Sequence, residues 1–219
     1  MKLLNRLYVM LHRSLARPSE RGEYSGGMWQ DRVRAKALSL CEGVSGRLLE
    51  IGCGEGLFIS RLKAFRPQVD VWGVDNDAGR LARAGERLAE KGMTARLSVE
   101  DAARLPFPDG HFDAVVCVNV FFNMDSLDTV RKTLAEMKRV CRSGGLLVFD
   151  FRNAANLLLR VKYALAHVYD HSVRDLPLRT YHFSVMSGVL GELGLKIRRR
   201  HFIGTGGPFA PLVVLEVEK

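Results

Sequence analysis

The sequence predicts an α/β fold built on a doubly wound parallel sheet. Two observations carry this. From residue 47 to residue 151, short apolar runs alternate with segments of helical period, and the loops between them are short. At the head of that alternation stands Leu48-Leu49-Glu50-Ile51-Gly52-Cys53-Gly54-Glu55-Gly56-Leu57, which reads as a buried strand, a Gly-rich turn and a helix. A third observation sets the scale. The chain has 219 residues, of which 47% are hydrophobic, enough for one soluble domain with a cap.

The elements follow in order. Residues 2–17 place Leu3, Leu4, Leu7, Tyr8, Met10, Leu11 and Leu15 at helical spacing, with Lys2, Arg6, Arg13 and Arg17 among them. They predict a helix that packs on the domain, closes over its cleft or lies on a membrane surface. A loop rich in Gly and Ser leads to a helix over 28–40. The first strand covers 48–51 and its helix runs over roughly 55–64. A second strand, 69–74, ends at Asp75, and a helix over 77–91 ends at Gly92. A third strand near 94–99 precedes Glu100-Asp101-Ala102, and a turn-rich loop covers 106–112.

Residues 113–118 form a fourth strand. The helix over 126–140 has Leu127, Val130, Leu134, Met137 and Val140 as its core face. Gly144-Gly145 is expected to break the chain before a fifth strand at 146–151. Beyond it the rhythm changes. A long helix is expected over 153–168, a short one over 183–193, and two closing strands over 195–203 and 212–217. The expected organisation is a helical cap over 1–45 and one domain over 46–219, with 155–182 inserted to shape a substrate pocket.

The ligand of the first turn is narrowed by spacing. The dinucleotide fingerprint is G-x-G-x-x-G. Here the third glycine comes one residue early, at Gly56, and Leu57 stands where that fingerprint needs glycine. Glu50, two places before the first glycine, would repel a pyrophosphate and attract a ligand bearing an ammonium and a sulfonium. Asp75, at a strand end, is suited to accept from two ribose hydroxyls. Asp101 is placed to accept from an adenine amine, and the Ala102 backbone to donate to a ring nitrogen.

In this order, Glu50 to Gly56, Asp75, Glu100-Asp101-Ala102, Leu105-Pro106-Phe107 with Phe112-Asp113, and Arg142 to Leu146 resemble the class I S-adenosylmethionine (SAM) dependent methyltransferases of the small-molecule, type 11-like kind. The resemblance covers residues 47–151. It implies a Rossmann-like seven-stranded sheet, six strands parallel and the last antiparallel, with SAM as cofactor and S-adenosylhomocysteine as product. It implies that Gly52, Cys53, Gly54 and Gly56 form the loop against the methionine part and that Asp75 binds the ribose. Asp101 and Ala102 would flank the adenine, with Asn76 stacked near it. Asn119 would face the methyl-transfer cleft, and Tyr24 or Trp29 would cover the cofactor.

Methyl transfer from a sulfonium needs a positioned, desolvated nucleophile, and a base only where the acceptor loses a proton. His167, His171, Tyr181 and His182 are the candidate bases, whereas His111 belongs to a surface turn. No metal-ligand spacing stands out. Cys41, Cys53, Cys117 and Cys141 are scattered and read as reduced thiols of a cytoplasmic protein. Lys and Arg outnumber Asp and Glu by 33 to 24, which permits an anionic partner without requiring one. Lys196, Arg198, Arg199 and Arg200 read as a solvated strand edge.

Asn119-Val120-Phe121-Phe122 is not the Asn/Asp-Pro-Pro-aromatic motif of enzymes that methylate planar nitrogens, and no RNA-binding domain is recognisable. A small-molecule acceptor, lipid-linked given the amphipathic ends, is therefore expected over nucleic acid. An RNA or protein methyltransferase and a non-catalytic SAM-binding protein are the alternative readings. For the N-terminal helix, packing on the domain or over its cleft is the preferred reading, and peripheral membrane contact is the alternative.

Overall fold

The computed structural model describes residues 27–166 and 176–219 in full and 167–169 as backbone. The helix expected over 2–17 lies outside them. In chain order the elements are α1 (Met28–Leu40), β1 (Arg47–Ile51), α2 (Leu57–Phe65), β2 (Asp70–Asp75), α3 (Ala78–Glu90), β3 (Arg96–Val99), β4 (Phe112–Cys117), α4 (Leu127–Val140), β5 (Cys141–Arg152), α5 (Leu157–Tyr169), α6 (Phe183–Glu192), β6 (Lys196–Ile203) and β7 (Leu212–Glu218). Short 3₁₀ turns at Phe121–Asn123 and Gly207–Phe209 complete the order.

The seven strands form one sheet in the order β3-β2-β1-β4-β5-β7-β6. Strands β1 to β5 pair in parallel, and β7 runs antiparallel to both β5 and β6. Six strands therefore share a direction and β7 opposes them, as expected of this Rossmann-like architecture. The order reverses at β1 and β4, so their carboxyl ends open a crevice, the usual place for a ligand in such sheets.

Strand alternation sorts the core into two layers. Leu49, Ile51, Val115, Cys117, Leu147 and Phe149 face α4 and α6, where Leu134, Met137, Met186 and Val189 meet them. Leu48, Ala114, Val116 and Val148 face α1, α2 and α3, where Val33, Ala37, Phe58, Ile59 and Leu88 meet them. Helix α1 thus closes one side of the sheet.

Three boundaries differ from expectation. Helix α2 begins at Leu57 and not at residue 55, because Gly56 takes a left-handed φ of +71° at its N-cap. Gly144-Gly145 does not break the chain: β5 runs from Cys141 to Arg152, and Gly144, at φ +70°, absorbs the irregularity. The pairing with β4 shifts register there, between Phe112–Cys141 and Ala114–Leu146. Helix α5 starts at Leu157 and not at residue 153. Asn156 Oδ1 accepts from the Leu159 amide at 2.7 Å, a helix N-cap, while Asn153 forms a parallel bridge with Tyr181.

Candidate cofactor and acceptor site

Glu50 is the fourth residue of β1 and shares its face with Leu48, the α1–α2 side. It is 3% exposed, and its Oε2 has no hydrogen-bond partner among the described residues. Burial pushes its carboxyl well above the ordinary range. Arg34 on α1 draws it down, Asp75 pushes it up, and the Ile59 amide in the first turn of α2 draws it down. A buried carboxylate with an unused oxygen is costly unless a cation meets it.

Asp75 closes β2 and is 6% exposed. Its Oδ2 accepts from the Gly54 amide at 2.8 Å and its Oδ1 from the Asp77 amide at 3.0 Å. Asp77 in turn caps α3, accepting from the Gly79 and Arg80 amides. The Gly52 and Cys53 amides both donate to the Val74 carbonyl, at 2.8 and 3.0 Å. The turn after β1 is therefore strapped to the end of β2.

Gly52 and Gly54 sit at φ +71° and +52°, a region where a Cβ is strained. They differ in surroundings. A Cβ on Gly52 would lie 2.3 Å from Val120 Cγ2, whereas one on Gly54 would meet nothing nearer than Asp75 Oδ2 at 4.0 Å. Gly54 thus faces open space beside Asp75, whose buried carboxylate neighbours that of Glu50. Those residues fit a ligand with an ammonium and vicinal hydroxyls, the chemistry of SAM.

Asp101 is exposed and Ala102 half-buried after β3. Asp101 Oδ1 accepts from the Ala103 amide at 2.9 Å, and the preceding Glu100 amide donates to the Asp75 carbonyl at 3.1 Å. Asn76 is exposed. These three lie on the segments leaving β2 and β3. Cys53 contributes backbone only: its thiol is buried in the α1–α2 layer, and burial, Glu50 and Asp75 push its pKa well up.

On the other side of the switch point, Asn119 follows β4 at φ +61°. Its amide donates to Asp150 Oδ1, its Oδ1 accepts from Arg152 at 3.1 Å, and its Nδ2 donates to the Gln30 carbonyl at 3.3 Å. Asp150 and Arg152 form a buried ion pair, 1% and 3% exposed. Arg152 Nε donates to the Tyr163 hydroxyl at 3.1 Å, and its guanidinium lies 4.2 Å from the Phe122 ring centre. Tyr163 borders a cleft of about 480 Å³ between α5 and residues 176–180, lined also by Leu157, Val161, Pro177, Leu178 and Thr180.

The sequence reading missed this pair. Its signal was present as two charges, Asp150 and Arg152, on one face of the apolar run Leu146-Leu147-Val148-Phe149-Asp150-Phe151-Arg152.

Trp29 stands on α1, and Tyr181 and His182 precede α6. Trp29 packs on Gly204, where a Cβ would lie 3.0 Å from its ring, and Arg32 stacks over it at 5.3 Å. Tyr181 is 7% exposed, with its hydroxyl donating to the Phe121 carbonyl at 3.5 Å. Burial raises its pKa. His182 is exposed at the N-cap of α6. Tyr24 and His171 lie outside the described residues, as does the side chain of His167, which falls within α5. Among the described residues no cluster of His, Cys, Asp or Glu could hold a metal.

A seven-stranded sheet of this order, with an acidic β1 end, a glycine turn and an acidic β2 end, defines a Rossmann-like methyltransferase fold. The family model described as "Methyltransferase domain" matches residues 49–149. A phosphatidylethanolamine N-methyltransferase of Cereibacter sphaeroides is 34% identical over 148 residues, covering 66% of this chain and 70% of that protein. A demethylmenaquinone methyltransferase of Deinococcus radiodurans is 35% identical over 141 residues, 64% of this chain. The match spans about half, 54%, of that relative's length. The chain belongs to the class I SAM-dependent methyltransferase family.

Solved structures share the fold. A SAM-dependent methyltransferase from Clostridium acetobutylicum superposes with a TM-score of 0.68 at 18% identity, covering 99% of this chain and 98% of that one. A magnesium protoporphyrin IX methyltransferase from Synechocystis, solved with bound S-adenosylhomocysteine, gives 0.67 at 18% identity over 88% and 82%.

Proposed function

We propose that this chain transfers a methyl group from SAM to a small lipophilic acceptor. One observation carries the reading: Glu50, buried with Oε2 unpartnered, stands beside Asp75 and the left-handed glycines at the carboxyl edge of β1 and β2. When bound, SAM supplies a methyl group on a sulfonium, already electrophilic.

The protein's part is to bind, orient and exclude water. Glu50 meets the ammonium of the methionine part. Gly52 and Gly54 let the backbone approach it. Each Asp75 oxygen keeps a second lone pair after bonding Gly54 or Asp77, and these accept from the ribose. Asp101 and Ala102 flank the adenine, with Asn76 beside it. Asn119 borders the acceptor side, held between α1 and Arg152.

The chain of contacts from Gly52 through Val120 and Asn119 to Arg152 and Tyr163 supports placing the acceptor in the cleft beside α5. Leu157, Val161, Pro177 and Leu178 give that cleft an apolar side, and relatives are named for a quinone and a phospholipid acceptor. His167, His171, Tyr181 and His182 are the candidate bases to test. The four buried free thiols suit a reducing compartment and support a cytoplasmic location.

The test is a calorimetric titration with SAM and S-adenosylhomocysteine, then transfer of labelled methyl to a demethylated quinol, to phosphatidylethanolamine and to RNA. Micromolar binding and labelling of a lipophilic acceptor are expected. Absence of SAM binding overturns the reading, and salt-sensitive labelling of RNA alone replaces the acceptor class.

A further inference from the structure

Helix α5 turns an apolar stripe outward. Leu157, Leu158, Val161 and Leu165 are 67%, 81%, 49% and 52% exposed. A surface helix ordinarily presents polar residues there. The opposite face is already spent: Leu159 and Ala166 are buried, and Ala166 packs with Phe122 and Leu178. At helical spacing the four exposed side chains fall within an arc of about 100°, with Arg160 on one flank and Lys162 on the other. No acidic residue occurs over 157–169.

The geometry points to the outer face of α5 as a docking surface for an anionic lipid bilayer. An apolar stripe flanked on both sides by cations matches the acyl boundary at its centre and the lipid phosphates at its edges. The formal charge of +9 adds long-range attraction. A second copy of this chain suits the stripe less well. A two-fold contact would bring the Arg160 side chains of both helices together.

Leu157, Arg160 and Val161 also line the 480 Å³ cleft, so its mouth lies on the docking face. Delivery of a lipophilic acceptor through that mouth rests on the proposed function. Docking itself does not, and it is measured without SAM or acceptor.

The experiment is co-sedimentation of the full chain with phosphatidylcholine vesicles, with and without phosphatidylglycerol. Wild type is expected to partition onto the anionic vesicles. Leu158→Glu with Val161→Glu should lower partitioning about tenfold or more. Arg160→Gln with Lys162→Gln should lower it about fivefold per charge removed and flatten its salt dependence. A thermal melt at the wild-type temperature establishes that each variant is folded.

Three results overturn the inference. One is a wild type that stays in solution. Another is binding that neither variant alters, which assigns the contact to another segment. The third is a dimer on gel filtration that Leu158→Glu with Val161→Glu dissociates while vesicle binding is unchanged.

Discussion

Asp75 holds the Gly54 amide: Oδ2 accepts from it at 2.8 Å, while Oδ1 of the same carboxylate takes the Asp77 amide at 3.0 Å. One side chain thus ties the glycine turn to the start of α3. Asp75→Ala removes both bonds and leaves two amides to find other partners. Hydrogen bonds to a charged group contribute about 1.5–3 kcal/mol each. The variant should bind SAM at least about tenfold more weakly by calorimetry and melt at a lower temperature. Wild-type affinity in Asp75→Ala would remove this residue from the cofactor site.

The two turn glycines should respond differently to alanine. Either alanine would carry the backbone strain of a left-handed conformation, about 1–2 kcal/mol. Only Gly52→Ala also drives a Cβ into Val120, so it should lose more stability on urea unfolding. Gly54→Ala has room in the protein alone. It should stay folded and lose SAM binding, because its methyl group enters the ligand's space.

Glu50 makes binding pH-dependent. Its folded pKa is raised above the ordinary 4.5, so the stability it contributes is full below about that value and is lost as pH rises through the raised one. An ammonium placed against it lowers the pKa again. SAM binding should therefore release protons in the window between 4.5 and the raised value, and tighten with pH across it. Titrations in buffers of different ionisation enthalpy measure the release. Glu50→Gln should abolish it, and an unchanged release in that variant would trace the proton to another group.

The Asp150–Arg152 pair is a stability element as well as a positioning one. Arg152→Met strands a buried carboxylate and frees Asn119 Oδ1 and the Tyr163 hydroxyl. Breaking a buried pair from one side costs about 3–5 kcal/mol. Urea unfolding should show that loss, and Asp150→Asn added to Arg152→Met should recover part of it. A loss under about 1 kcal/mol would mean that water reaches the pair.

The thiols should be inert in the folded chain. Burial pushes Cys41 up to about 12 and Cys141 up to about 11, and Cys53 and Cys117 are raised as well. An aromatic disulfide reagent should find no fast thiol among them in native buffer and all four in guanidinium. Fast reaction of one equivalent would reveal local opening.

The alternation of strands and helices, the glycine turn, and the acidic residues at the ends of β1 and β2 were legible in the sequence. These are local features. A strand's apolar run, a helix's period and a glycine's need for positive φ are written within a few consecutive residues. Even there, Gly144-Gly145 misled, since a left-handed glycine serves a break and a bulge equally well.

Which polar groups share a site follows from the packing of the folded chain. Glu50 meets Arg34 and Asp75, and Asn119 meets Arg152 and Gln30, across separations that no window of sequence spans. The neighbours of Trp29 and Tyr181, Gly204 and the Phe121 carbonyl, are likewise set by the folded chain. The outward stripe of α5 was likewise undecided by its own residues. A helix apolar on two faces reads from sequence as a buried one, and only the placement of the sheet shows which face is left to the solvent.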